Sequence, residues 1–270
     1  MTPRPVGGSH GVFLAGWLVG SLLIGFILAP LVGLAATQSP GVLAAVAAMP
    51  DVREAIGLSL AAAFVAAALA SAAGVPLAYV LARGGFRGQS ALAALIDLPL
   101  AVPHTVAGIA LLLVFGRRGM IGGPAEHWLG LRFWGSFAGV VVGMLFVSAP
   151  YTVNAARLGF ESVDPRLEQV ARTLGVGPWR ALVSVTLPLA WRSVMIGMTL
   201  TFARAISEFA AVAILAYYPM TAPVKIYELF LQQGLTQSAA VALLLLVVSL
   251  ALFLVFRLVA QERVATGIGR

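Results

Sequence analysis

Apolar runs of 18 or more residues recur along this 270-residue chain, and each is long enough to cross a hydrocarbon core of about 30 Å as a helix. Only 10% of the residues are charged, against about 25% in a typical soluble domain. Too few polar side chains are present to cover a globule in water. The expected class is an all-α integral membrane protein.

Six transmembrane helices are expected, near 11–36, 55–82, 90–116, 134–156, 193–216 and 238–256. The piece Gly41–Pro50 is too short to span and reads as an interfacial segment. The first run is longer than the 7–15-residue core of a cleavable signal peptide, so a transmembrane helix is favoured there over a cleaved signal. An even number of spans puts both termini on one side. With the termini inside, the inner segments hold Arg4, Arg83, Arg87, Arg157, Arg166, Arg172, Arg180, Arg192, Arg257, Arg263 and Arg270; the outer ones hold Arg53, Arg117, Arg118, Arg132 and Lys225. Eleven cations against five place both termini in the cytoplasm by the positive-inside rule. The same bias accounts for the net charge of +7 without nucleic acid. The chain has no Cys, and its three His residues (His10, His104, His127) lack metal-ligand spacing, so no metal site is expected.

Gly135, Gly139 and Gly143 recur every four residues and are expected to line a helix face that a neighbour approaches closely; Gly16 and Gly20 repeat the pattern. Pro30, Pro76, Pro99, Pro103 and Pro150 fall in or near apolar runs, where each removes a backbone donor and favours a kink.

The longest cytoplasmic connection, 157–192, is patterned as a hairpin. Asp164-Pro165 is a helix start, a capping residue followed by proline at the first helical position. Leu167, Val170, Ala171 and Leu174 then share one helical face, with Glu168, Gln169 and Arg172 pointing elsewhere. Gly175 and Gly177 stop the helix, and Pro178 opens a second one that leads back to the membrane. Such a protruding element suits docking; an ordinary ordered loop is the plainer alternative.

This segment resembles the signature loop of ABC importer permeases, whose pattern is Glu-Ala-Ala, three residues, Gly, nine residues, then Ile-x-Leu-Pro. Gln169-Val170-Ala171 stands at the triplet, Gly175 follows at the required spacing, and Val185-Thr186-Leu187-Pro188 closes it. Gln169, Val170 and Val185 depart from the pattern in identity but not in spacing. The resemblance implies that Glu168, Gln169, Val170, Ala171, Arg172, Leu174, Gly175 and Gly177, with Leu187 and Pro188, form an ATPase-coupling element seated in a groove of a separate ATPase subunit. It also implies one transmembrane domain over 1–270, with a permease core at about 55–257.

Ionisable residues within spans are costly and so are candidates for function. Asp97 and His104 fall in the third span, Arg204 and Glu208 in the fifth, four residues apart on one helix face. Arg204 either assists passage of an anion or merely neutralises Glu208 and holds helices in register. A catalytic reading of Ser136, His104 and Asp97 has no supporting motif.

Three stretches resemble the molybdate, tungstate and sulfate branch of these permeases: Pro103-His-Thr-Val-Ala-Gly-Ile-Ala, Phe202-Ala-Arg-Ala-Ile-Ser-Glu-Phe209, and Ala216-Tyr-Tyr-Pro-Met-Thr-Ala-Pro-Val-Lys-Ile-Tyr227. The last is closer to the tungstate/molybdate pattern. The resemblance implies a homodimer in a prokaryotic cell membrane, two cytoplasmic ABC ATPase subunits and an extracytoplasmic oxyanion-binding protein. Tyr217, Tyr218, Pro219 and Lys225 are candidates for docking that binding protein. No Gly-x-x-x-x-Gly-Lys-Ser/Thr loop occurs, so ATP and Mg would be used by the partner and no cofactor is expected on this chain. The competing expectation is a stand-alone secondary transporter or channel, which favours paired repeats, broken helices and acidic sites at mid-membrane. An intramembrane enzyme lacks any nucleophile–base motif.

Overall fold

A backbone in lipid must satisfy its own hydrogen bonds, and a chain this apolar does so with helices. The computed structural model describes residues 9–267, which contain no strand. Arg4 and Arg270, used above to orient the chain, lie outside them. In order come α1 (Ser9–Ala36), α2 (Pro40–Ala48), α3 (Pro50–Arg83), α4 (Gln89–Ala101), α5 (His104–Phe115), α6 (Gly122–Leu129) and α7 (Phe137–Ser162). They are followed by α8 (Pro165–Thr173), α9 (Pro178–Ala181), a π-helical turn (Leu182–Thr186), α10 (Leu187–Ile206), α11 (Ala210–Leu215), α12 (Ala222–Gln233) and α13 (Leu235–Gly267).

The centre is a three-helix seam of α3, α7 and α10, built from small side chains that let backbones touch. Ala62, Ala63, Ala66 and Ala67 of α3 are fully buried there beside Val140 and Met144 of α7. A Cβ on Gly197 of α10 would lie 3.0 Å from the Cα of Thr152 on α7, so only glycine fits. Polar pairing reinforces the seam: the Thr152 and Thr201 hydroxyls are 2.7 Å apart, and Thr201 donates to the Ser148 carbonyl at 3.1 Å. By contrast α1 keeps its large apolar side chains exposed along its length and touches α13.

Among the described residues five helical stretches are long and apolar enough to cross a membrane, or six if the pair α4–α5 is one broken span. That pair covers the third span expected at 90–116 and turns the kink expected at Pro103 into a break. It bends by 110° at Val102-Pro103. Pro103 has no N–H to continue the helix and disfavours the helical region for its predecessor; Val102 is extended at φ −78°, ψ 128°. The fifth span also differs. Helix runs unbroken in direction from Pro178 to Ile206, then stops, and 210–215 forms the separate α11 rather than the end of a helix over 193–216. Pro188 is absorbed at the start of α10 by the π-turn, in which the Leu187 N–H reaches back five residues to the Leu182 carbonyl.

The expected glycine face is only partly realised. Gly139 and Gly143 do abut Ala216 and Val212, but Gly135 precedes α7 in a left-handed turn at φ +57°. Gly16 and Gly20 have no described neighbour within 4 Å. The segment expected to be interfacial, Gly41–Pro50, is largely α2, which buries Val46 against Val52, Leu229 and Val241. The hairpin is shorter than 157–192, because α7 continues to Ser162 and the membrane helix resumes at Pro178.

Candidate coupling surface and translocation residues

The hairpin begins as its residues dictate. Asp164 caps α8, its Oδ1 accepting the Arg166 N–H at 2.9 Å, with Pro165 in the first turn. At the other end Gly175 takes φ +83°, and the N–H groups of Gly175 and Val176 return to the carbonyls of Arg172 and Ala171. These two bonds form the glycine-terminated cap that satisfies the last carbonyls of a helix. Gly177, by contrast, sits at an ordinary φ of −65°.

The face that α8 turns inward is the reverse of what an amphipathic pattern suggests. Leu167, Val170 and Leu174 point outward, with Leu174 79% exposed, while Ala171 is half-buried. Glu168 is the buried residue, its side chain only 12% exposed. Oε1 accepts from Arg83 Nε at 3.0 Å and from Thr186 Oγ1 at 2.6 Å, and Oε2 accepts from the Tyr79 hydroxyl at 2.8 Å. Arg83 Nη2 also donates to the Val163 carbonyl, at 2.8 Å, where α7 ends. Gln169 and Arg172 are exposed on the outer side, as are Gly177 and Pro188; Leu187 is half-buried. None of Tyr79, Arg83 or Thr186 was singled out from sequence as a partner, because each is remote from α8 along the chain or lies in the second arm of the hairpin.

Burial opposes ionisation of Glu168, but the bonds from Thr186, Tyr79 and Arg83 outweigh it and hold the carboxyl below the usual glutamate range. With the folded pKa below the unfolded one, the carboxylate stabilises the fold in full above the unfolded pKa. That contribution disappears as pH falls through the folded pKa. Glu168→Gln is therefore expected to destabilise the protein at neutral pH by about 1–3 kcal/mol. The gap to the unaltered protein should close on acidification below the glutamate range, as read by thermal unfolding in detergent across pH.

The four charged candidates within the membrane divide into two places. His104, Arg204 and Glu208 come together where the two broken helices meet: His104 opens α5, Arg204 lies in the last turn of α10, and Glu208 sits in the break before α11. Arg204 Nη2 is 2.8 Å from Glu208 Oε2 and 2.6 Å from His104 Nε2. Glu208 is 1% exposed, and its Oε1 accepts the Ala211 N–H at 2.8 Å, which caps α11. The His104 side chain is 43% exposed and that of Arg204 20%, so the cluster opens on its His104 side. Asp97 is not part of it. The bend at Pro103 separates it from His104, and its Oδ1 takes the Asn154 amide of α7 at 2.6 Å.

Tyr218 is 60% exposed, its ring lies 5.1 Å from that of Tyr217, and the Tyr218–Pro219 peptide is cis. Lys225 is already engaged, with Asp51 at 3.0 Å and Glu228 at 2.9 Å. It ties α12 to the start of α3 instead of presenting a free charge. Asp51, Glu54, Tyr218, Pro219 and Lys225 line one cavity of about 320 Å³. Among the described residues no group of His, Asp and Glu is arranged to hold a metal ion.

The family described as binding-protein-dependent transport system inner membrane component matches residues 74–264, a stretch that contains the hairpin and both broken helices. The chain belongs to that family. It is a membrane-spanning permease subunit rather than an enzyme. Among its relatives, the molybdate/tungstate transport system permease protein WtpB of Thermococcus kodakarensis is 44% identical over 241 residues, covering 88% of this chain and 92% of that one. The molybdenum transport system permease protein ModB of Escherichia coli is 38% identical over 192 residues, 70% of this chain and 82% of that one. The permease fold is shared with a bacterial ABC transporter involved in alginate import, at TM-score 0.72 and 17% identity over 93% of this chain and 95% of that one. The MetNI methionine ABC transporter follows at TM-score 0.59 and 17% identity, over 81% and 96%.

Proposed function

We propose that this permease forms the pathway of an ATP-driven importer that moves tungstate/molybdate-type oxyanions into the cytoplasm by alternating access. The observation that carries the ATP-coupled reading is the hairpin at 163–177. A short helix, capped at both ends, presents Leu167, Val170 and Leu174 to solvent while its one buried carboxylate anchors it to the membrane helices. Exposed leucines on a rigid helix suit insertion into an apolar groove on a partner. The cytoplasmic partner is then a pair of ABC ATPase subunits, two copies of the permease form the pathway, and both termini lie in the cytoplasm. One transmembrane domain spans 1–270, its permease core at about 55–257, in a prokaryotic cell membrane.

The oxyanion cargo rests on the names of the relatives at 38–44% identity, supported by the Arg204 guanidinium, which stays partly exposed beside the open His104 ring. Asp97 with Asn154, and Glu208, would then line or brace the same pathway. An oxyanion-binding protein would dock outside, where Tyr217, Tyr218 and Pro219 stand beside the Lys225 ion pairs. The broken helices with Glu208 at a break do fit the alternative of a stand-alone secondary transporter, but such a protein has no use for the hairpin.

Reconstitution decides between them. In vesicles carrying the permease with its ATP-hydrolysing subunit and binding protein, tungstate and molybdate uptake should require ATP and exceed sulfate uptake. Uptake of all three anions at the same rate without ATP would overturn the coupled reading; a preference for sulfate would overturn the cargo.

A further inference from the structure

We infer that Glu168 is a positioning residue that fastens the coupling helix to the membrane helices, so that α8 cannot swivel without moving α3 and the head of α10. This rests on the coupling reading of the hairpin above.

Left to itself, α8 is a weak lever. It has nine residues, too few for a stable isolated helix, and its outer face packs on nothing among the described residues. Something must hold it if its motion is to reach the pathway. One carboxylate does so, and all its donors lie on other elements. Tyr79 and Arg83 stand four residues apart on one face of α3, and Thr186 closes the π-turn that leads into α10. Arg83 extends the link to the end of α7 through the Val163 carbonyl, and Tyr79 sets its ring edge-on to Phe160 of α7 at 5.7 Å. Two elements, α3 and the π-turn, thus bond to the side chain that α8 supplies, and α7 braces the α3 donors. The π-turn belongs to the device, because the wide turn forced ahead of Pro188 is the one that carries Thr186.

The geometry also argues against Glu168 as a contact for the ATPase. Its two oxygens already take three donors, and its side chain is almost enclosed. Charge-assisted bonds of this kind are stronger and more directional than neutral ones, which suits a joint. The adjoining docking face and the joint therefore use different residues of the same nine-residue helix, and the two roles are separable by mutation.

The test uses the assembled transporter, permease with its ATP-hydrolysing subunit and binding protein, in proteoliposomes. Two quantities are read: the ATPase subunit that co-purifies with the permease, and the ATP hydrolysed per oxyanion taken up. Glu168→Ala should retain the bound ATPase yet raise the ATP consumed per anion about tenfold, within the range of typical coupling energies. Tyr79→Phe and Thr186→Val, which each remove one donor and leave the Arg83 pair, should raise it by less, and more in combination. A purely structural role would lower the yield of folded protein without changing that ratio. The inference is overturned if Glu168→Ala keeps the ratio of the unaltered protein. Loss of the ATPase from Glu168→Ala would also overturn it, since Glu168 would then be a docking contact. If Glu168→Ala does not insert, an unchanged ratio in both single-donor variants and their combination overturns it. Failure of the underlying coupling reading looks different: Leu174→Asp, on the exposed face, would still hold the ATPase.

Discussion

Gly175→Val is expected to leave the permease inserted in the membrane and to cut ATP-dependent uptake more than tenfold. The reason lies in the backbone. Gly175 has φ +83°, and no atom lies within 4 Å of where a Cβ would stand, so crowding plays no part. An L-residue pays about 1–2 kcal/mol for this conformation, and a β-branched one is a genuine outlier there. The strain is relieved by unwinding the cap that returns Gly175 and Val176 to Arg172 and Ala171, which re-aims α8 against its partner. The penalty should be graded. Gly175→Asn should retain most uptake, because asparagine tolerates the left-handed region, with Gly175→Ala between the two. Gly177→Ala should transport almost normally, since φ −65° suits any residue and no neighbour crowds the site. Uptake and ATPase co-purification, measured for the four variants together, check the series; equal loss at Gly175 and Gly177 would contradict the turn-based explanation.

The second large effect is expected at Arg204. Arg204→Met leaves the Glu208 carboxylate, 1% exposed, with the Ala211 N–H but without its cation. Breaking a buried ion pair from one side typically costs about 3–5 kcal/mol, so both stability and uptake should fall. The double variant Arg204→Met/Glu208→Gln separates the two roles that Arg204 has been offered. It removes both charges while keeping an acceptor for Ala211, so folding stability should recover. Uptake should not recover, because the cation that faces the open His104 ring is gone. Thermal unfolding and vesicle uptake on the same preparations provide the check. Recovery of both would show that Arg204 serves only to neutralise Glu208.

Much of the site was legible in the chain because its signals are local. Asp164-Pro165 and Gly175 mark the ends of α8 through φ preferences and capping chemistry that act within a few residues, and the structure has both caps. The Arg204–Glu208 pair was equally local, four residues apart in the chain. What periodicity could not reveal was which side of α8 faces the protein. A hydrophobic stripe usually marks the buried face of a helix, but on α8 Leu167, Val170 and Leu174 face solvent, and in the proposed coupling role they are left for another subunit. Glu168 is inside because Tyr79, Arg83 and Thr186 supply donors from 85–89 residues upstream and 18 residues downstream.

By itself the sequence determined the class, the approximate membrane helices and the caps of the hairpin helix. Apolar run length, charge asymmetry and cap chemistry are properties of short windows and do not depend on what packs against what. Proline chemistry marked the break at Pro103, but tertiary structure alone decided how far it bends, that the fifth run breaks, and which charges meet. At 90–116 and 193–216 hydropathy is continuous, yet α4 and α5 bend by 110° and α11 is separate from α10. Hydropathy is blind to direction, whereas a break is stable only when its freed backbone groups and side chains find partners across helices. Glu208 caps α11 from three residues away, and Arg204 reaching His104 is the partner that the fold brings across 100 residues.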